Sequence, residues 1–300
     1  MRVFVTGASG WIGSATVREL VGAGHEVVGL ARSADAAAAV ATAGAEPLRG
    51  SLDDLDTLQA AAAGSDGVVH LAFKHDIAFT GDFQGAVDAD RRAIAAFGDA
   101  LEGSDRPLLI ASGTLGLAPG RVGTEADRPH PDVHPRAASA HAALSLAARG
   151  VRTSVVRFAP TVHGEGDHGF IATLVNIARD KRIAGYLGDG SNRWPAVHRL
   201  DAANLVCLAL EKAPAGSVLH ATDEAGISTR VIAEAIGRQL KVPVASIPDE
   251  QAADHFGYLA GVFAMDAPAS SFLTRELLGW APSRPGLLAD LDEGRYTPTL

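Results

Sequence analysis

The sequence predicts an α/β fold, a doubly wound parallel sheet with a small C-terminal lobe. Three observations predict it. Short β-branched apolar runs alternate with helical patterns through the first half of the chain, as in a parallel sheet covered on both faces. The first run, Arg2 to Thr6, leads into Gly7, Gly10 and Gly13 at three-residue spacing and then into an amphipathic pattern. After Phe158 the alternation breaks into Gly/Pro-interrupted segments with no Ser/Gly linker, so the remainder reads as a lobe packed on the first part.

Strand, glycine turn and helix at the start make a mononucleotide-binding unit. Gly7 lets the chain turn sharply, Gly10 lets the backbone approach a pyrophosphate, and Gly13 lets the helix pack close to the strand. The free N–H groups and positive dipole end of that helix favour an anion. Its inward face is expected to be Gly13, Val17, Leu20 and Val21. Glu26–Ala31 follows as a strand, Ala34–Ala43 as an alanine-rich helix and Ala45–Arg49 as a third strand. A helix over Leu55–Ala63 has Asp53 or Asp54 as its cap,. Gly67–Phe73 is the fourth strand, with a long helix around Asp88–Leu101 after it. Pro107–Ala111, a helix over Arg136–Arg149 and the strand Val151–Phe158 complete the series. The nucleotide-binding domain is therefore expected over 1–160, completed by about 201–225, where Asp201–Leu210 and Ser217–Ala221 return to the sheet. Residues 161–200 and 226–300 form the smaller, substrate-binding lobe, and the crevice between the two is the expected ligand site.

A hydrophobic fraction of 47% with 20% charged residues is that of a soluble globular protein,. The formal net charge of −9 speaks against nucleic acid and anionic membrane as partners,. No apolar run is long enough to span a bilayer, and Met1 leads straight into a strand, leaving no room for a signal peptide,. A cytoplasmic setting is expected. The single cysteine, Cys207, excludes an intramolecular disulfide and a multi-cysteine zinc site,. It falls on the apolar helix face of Leu205, Leu208 and Ala209, the position of a buried structural thiol,. No metal site is expected: there is no His-x-x-x-His helix, and His130-Pro-Asp-Val-His134 reads as a turn,.

The run Thr6-Gly7-Ala8-Ser9-Gly10-Trp11-Ile12-Gly13 resembles the opening of the extended short-chain dehydrogenase/reductase family, the NAD-dependent epimerase/dehydratase type. That resemblance implies a Rossmann fold with Gly7, Ser9, Gly10, Trp11, Ile12 and Gly13 around a dinucleotide. The second strand ends Ala31-Arg32-Ser33, where an acidic residue would grip the ribose and repel a 2′-phosphate,. A guanidinium and a hydroxyl suit a phosphate instead, so NADP is favoured over NAD, the alternative for Arg32 being a solvated surface residue. Gly50 to Asp54 resembles the family's adenine-contacting Gly-Asp-Leu-x-Asp segment, which implies a role for Ser51 and Leu52. Asp66 to Phe73 resembles its fourth strand, placing Leu71, Ala72 and Phe73 along the ribose and pyrophosphate, with His70 a structural histidine beneath. Val156 to Gly164 resembles the Arg-Pro-x-x-Val-Tyr-Gly segment that covers the nicotinamide, with Phe158 in place of proline, Val162 retained and His163 in place of tyrosine. Gly188 to Asp201 resembles the substrate-side motif ending in Val-His-x-x-Asp, which implies substrate roles for Arg193, Trp194 and His198. Ser270–Trp280 resembles the closing helix, so the likeness spans nearly the whole chain.

The departure is catalytic. The fifth strand runs into Ser112-Gly-Thr114, where the family holds a hydroxyl that polarises a carbonyl; the alternative is a strand-end turn,. The family's Tyr-x-x-x-Lys, its proton donor and partner, falls on Arg136 and Ala140. None of the tyrosines, Tyr186, Tyr258 and Tyr296, is followed by lysine at the fourth position. Arginine remains protonated at any working pH and is a poor proton donor. His75 and Asp76 past the fourth strand, and His163, are the candidate substitutes, since histidine titrates near working pH. With eleven histidines in the chain, some will lie near any pocket. The reading is an NADP-dependent oxidoreductase of atypical extended short-chain type acting on a small carbonyl or alcohol. The alternatives are a non-catalytic NADP(H) sensor or scaffold, favoured by loss of the Tyr/Lys pair, and a sugar-nucleotide epimerase or dehydratase in which Arg193 meets a diphosphate. A homodimer is open by analogy with the family.

Overall fold

The computed structural model describes residues 1–78, 80–130 and 136–296; His134 of the predicted turn lies outside them. The first half runs β1 (Arg2–Thr6), α1 (Trp11–Gly22), β2 (Glu26–Ala31), α2 (Ala34–Thr42), β3 (Glu46–Arg49), α3 (Leu55–Ala63) and β4 (Gly67–His70). It continues with α4 (His75–Ala78), α5 (Phe83–Leu101), β5 (Pro107–Gly113), α6 (Arg136–Ser145) with a 3₁₀ turn at Leu146–Arg149, and β6 (Arg152–Phe158). The second half holds β7 (Thr161–His163), α7 (Phe170–Lys181), β8 (Ala184–Leu187), β9 (Arg193–His198), α8 (Arg199–Lys212) and β10 (Ser217–Ala221). After these come β11 (Glu224–Ser228), α9 (Thr229–Leu240), β12 (Val244–Ile247), α10 (Ala252–Phe256), α11 (Ala260–Phe263), α12 (Phe272–Leu278) and α13 (Leu287–Asp292).

Seven strands form one parallel sheet in the order β10-β6-β5-β4-β1-β2-β3. Strand alternation divides its apolar residues between two cores. Val3 and Val5 pack on one face with Val17 and Leu20 of α1 and Leu205 and Val206 of α8. Phe4, between them, faces the other side with Leu58 of α3 and Ile94 and Phe97 of α5. The crossovers change direction between β1 and β4, which opens a crevice at the carboxyl ends of those strands. A third core joins α7, α9 and α13 to the smaller sheets, β11-β9-β7 and β12-β8. Among the described residues no helix is long and apolar enough to cross a membrane.

Several elements differ from the expectation. β4 stops at His70 rather than Phe73: Leu71 N still donates to Thr6 O at 3.2 Å, and beyond it the chain leaves the sheet. The helix expected around Asp88 begins at Phe83, its first turn capped by Asp82, which accepts from Gly85 N at 2.8 Å. Val21 is 36% exposed, because it lies one residue beyond the buried Leu20 and so on the flank of the helix,. Asp54 occupies the N-cap of α3, but its carboxylate accepts from Ser51 N at 2.7 Å, tightening the preceding turn instead of capping the helix.

Candidate active site

The site begins where β1 ends. Gly7 turns with φ of 70°, a left-handed conformation, and a Cβ on it would come 2.8 Å from Ala72 N,. A Cβ on Gly13 would collide with the Gly7 carbonyl oxygen. The two glycines thus let α1, the turn and the chain after β4 lie against one another. Gly10 is the N-cap of α1, without a side-chain cap, and its own N donates to Gly7 O at 2.9 Å. Ser9 and Gly10 are exposed, Trp11 and Ile12 half-buried. The first-turn N–H groups of α1 have no helical acceptor, so this cradle fits a pyrophosphate. Trp11 Nε1 donates to Val162 O at 2.7 Å, tying the turn to β7. Arg199 lies 4.1 Å over the Trp11 ring and donates to Ser14 Oγ at 2.7 Å.

Past β2, Arg32 is exposed and its Nη1 lies 3.1 Å from Asp76 Oδ2. That hydrogen bond holds the Asp76 carboxyl below its usual value. Ser33 caps α2, its Oγ accepting from Ala36 N at 3.1 Å. Ser51 Oγ accepts from Asp53 N at 3.2 Å, and Leu52 is buried. Lys74 pairs with Asp53 at 2.6 Å across the same rim.

Beyond β4 and β5, three side chains converge. The Arg136 guanidinium lies 4.2 Å over the Phe73 ring, and its Nη2 donates to Ala111 O at 2.8 Å. Its Nε is buried with no hydrogen-bond partner. Phe73 meets His75 edge-on at 5.2 Å. Burial and the Arg136 charge hold the His75 imidazole below its ordinary value, against the opposing pull of Asp76 and Asp90. Asp90, from the middle of α5, is 2% exposed and takes His70 Nε2 at 3.0 Å; His70 Nδ1 lies 2.6 Å from Thr6 Oγ1. Thr6 Oγ1 in turn accepts from Ala72 N at 3.3 Å. A buried polar chain therefore runs from Ala72 N through Thr6 and His70 to Asp90. Burial alone would raise the Asp90 carboxyl, but His70 and then Arg136 bring it below its usual value.

The other candidates go elsewhere. Thr114 is 1% exposed and directs its hydroxyl at Phe158 O, 3.4 Å away. Ser112 is buried beside a small cavity that it borders with Arg128, His141 and Arg157. Phe158 is buried under this strand end. His163 is 1% exposed, and its Nδ1 lies 2.6 Å from Asp290 Oδ2, itself fully buried. His198 meets the His163 ring edge-on at 5.4 Å and accepts from Leu200 N at 3.2 Å. Burial and then His163 hold it below its ordinary value. Arg193 makes three bonds to Asp266, from its backbone N at 2.7 Å, Nε at 3.0 Å and Nη2 at 2.9 Å. Trp194 is fully buried between Phe170 and Phe263. The structure thus brings together Phe73, His75 and Arg136, and links Asp76 with Arg32, while His163 and His198 belong to a separate buried cluster around Asp290.

Asp90, Arg199 and Asp290 are neighbours that sequence reasoning missed. Asp90 carried a usable signal: it interrupts the buried stripe Ala86, Val87, Ala93, Ile94 and Phe97 of α5, and an acid on an apolar helix face demands a partner. Asp290 and Arg199 carried none, since their partners are remote in sequence.

A seven-stranded parallel sheet with a glycine cradle at its switch point defines an NAD(P)-binding Rossmann protein,. Residues 3–221 match the NAD dependent epimerase/dehydratase family, and the chain belongs to it. An uncharacterized protein of Schizosaccharomyces pombe is 48% identical over 99% of this chain and 100% of its own length. A 4-hydroxy-2-methyl-3-oxo-4-farnesyl-3,4-dihydroquinoline-1-oxide ketoreductase of Stigmatella aurantiaca is 30% identical over 86% of this chain and 80% of its own. Among solved structures, a Thermus thermophilus UDP-glucose 4-epimerase complex with NAD superimposes with a TM-score of 0.77, 19% identity and full coverage of both chains.

Proposed function

We propose that the chain is an NADP-dependent oxidoreductase of an atypical extended short-chain type, acting on a small alcohol or carbonyl compound in the crevice between the sheet and the lobe of residues 161–200 and 226–300. The observation that carries this reading is Arg136, braced by Ala111 O and the Phe73 ring beside His75. The nicotinamide, when bound, accepts or delivers the hydride. Gly7, Ser9, Gly10, Trp11, Ile12 and Gly13 hold the pyrophosphate, Ser51 and Leu52 border the adenine, and Leu71, Ala72, Phe73, Phe158 and Val162 line the rest. Arg32 and Ser33 take the 2′-phosphate, and Arg32 gives up Asp76 to do so.

Arg136 stands where the family places its tyrosine, and Ala140 where it places the lysine. A permanent cation cannot deliver a proton, but it stabilises negative charge developing on a substrate oxygen. His75, held neutral, takes the proton from a substrate hydroxyl in the oxidative direction and returns it in reduction. The Stigmatella relative, named as a ketoreductase, supports carbonyl chemistry. Arg193, which would have to meet a sugar diphosphate, is already engaged by Asp266, which counts against the epimerase reading.

A second reading, an NADP(H) sensor without turnover, is favoured by the engagement of Arg136 with its own chain. One experiment separates the two. Wild type and Arg136→Tyr/Ala140→Lys are assayed with NADPH against a panel of ketones and aldehydes. Turnover by wild type supports the enzyme; turnover by the rebuilt pair alone makes the natural protein a binder.

A further inference from the structure

At the opposite end of the sheet from the glycine cradle, α8 carries Cys207 and Glu211 at i and i+4, so both side chains leave one face of the helix,. His25 enters the same space from the turn before β2. Its backbone is fixed by His25 N donating to Leu20 O at 3.0 Å. Its Nε2 lies 2.9 Å from Glu211 Oε1, and Cys207 Sγ lies 3.9 Å from that oxygen. One donor atom from each of the three falls within 4.8 Å of the other two. Helices α1 and α8 hold this arrangement, bridged by Asn204 Nδ2 donating to Glu19 Oε1 at 2.9 Å. The His25 side chain is 9% exposed and that of Glu211 33%, so the triad has one open side.

We infer that His25, Cys207 and Glu211 form a binding site for a divalent transition-metal ion of the zinc class, clamping the last turns of α8 to the entrance of β2. Thiolate, imidazole and carboxylate are the donors zinc takes, and three protein ligands leave a tetrahedral position for water. Tetrahedral zinc needs its donors roughly 3.3–3.7 Å apart. The triad approaches that spacing already, and small rotations of the Glu211 and His25 side chains complete it. A hard, oxygen-preferring cation would gain nothing from the sulfur. The site lies at the opposite end of the sheet from the crevice and takes no part in the hydride chemistry proposed there. Cys207 and Glu211 stand four residues apart on α8, but His25 is 186 residues from Glu211 in sequence, which hides the site from any motif.

Cobalt(II) tests the site, because Cys207 is the only cysteine and a thiolate–cobalt charge-transfer band in the near ultraviolet reports that one sulfur. Full-length protein freed of metal by chelator should bind one equivalent of cobalt with that band and with tetrahedral d–d absorption, and zinc should displace it. Cys207→Ser should lose the band, and His25→Gln or Glu211→Gln should weaken cobalt affinity at least tenfold, with the Tm of each variant measured without metal as the control. Zinc should raise the Tm of wild type and leave that of Cys207→Ser unchanged. A missing band in wild type, an unchanged band in Cys207→Ser, or unaltered affinity in both Gln variants overturns the site. The Gln variants keep the test open if Cys207→Ser does not fold.

Discussion

Removal of the Asp90 carboxylate should destabilise the protein far more than loss of an exposed side chain on α5. The Asp90 and His70 side chains are no more than 3% exposed and lie 3.0 Å apart. Loss of one partner of a buried pair costs about 3–5 kcal/mol, because the other is left without its charge or hydrogen bond. At about 2 °C per kcal/mol in a chain of this size, Asp90→Ala should lower the Tm by roughly 6–10 °C. Asp90→Asn keeps an acceptor for His70 and should lose about 1 kcal/mol. The pH dependence follows from a carboxyl held below its usual value by His70 and Arg136. Its contribution is fully present above the unfolded value of about 4 and is lost as the pH falls through the lower folded value. Thermal melts of the three proteins from pH 7 down to 3 give the comparison. An Asp90→Ala protein that melts within 1–2 °C of wild type would refute the argument that this buried pair stabilises the fold.

Gly10→Val puts a branched side chain into the cradle, and NADPH fluorescence titration should show binding lost in a folded protein; retained affinity contradicts the pyrophosphate assignment. Arg32→Ala removes a charged hydrogen bond of about 1.5–3 kcal/mol and should weaken NADPH about 10- to 150-fold while sparing NADH. Equal loss for both cofactors, or a wild-type preference for NADH, means that Arg32 is a surface residue paired with Asp76. For alcohol oxidation, kcat/KM should rise with pH through a midpoint below 6.5, because burial and Arg136 disfavour the His75 imidazolium,. In Arg136→Ala the midpoint should move up, and a midpoint that stays fixed removes His75 from the reaction.

The parallel sheet was legible because its signals are local. The run Val3-Phe4-Val5 has side chains for both faces, and only glycine fits at 7 and 13. The ends of elements were less so. β4 ends early because the chain leaves the ladder after the Leu71 N–Thr6 O bond, and the apolar character of Ala72 and Phe73 alone does not distinguish that exit from continued strand. At the site, Arg136 and His75 were read from position, but their linkage through Phe73 is a tertiary fact. Sequence also could not show that Arg193 would be engaged by Asp266, 73 residues away, or His163 by Asp290, 127 residues away. Both pairs join the segment after β6 to the C-terminal part of the chain, where no periodicity links the partners. Asp90 is the instructive intermediate case, a visible violation of a helix stripe; His70 was expected to be a hydrogen-bonded structural histidine, and its partners Thr6 and Asp90 complete that reading.

Deuteride transfer tests the central claim most directly. Wild type and Arg136→Ala, both confirmed to bind NADPH, are incubated with 4-deuterated NADPH and a panel of small ketones and aldehydes, and alcohol products are analysed for deuterium by mass spectrometry. Wild type should place one deuterium on the carbinol carbon of at least one substrate. Arg136→Ala should do so about 100- to 1000-fold more slowly, the effect of removing one preorganised charge from a developing oxyanion. Deuterated product formed equally fast by both proteins, or by neither while NADPH remains bound, would contradict an oxidoreductase whose chemistry is organised around Arg136.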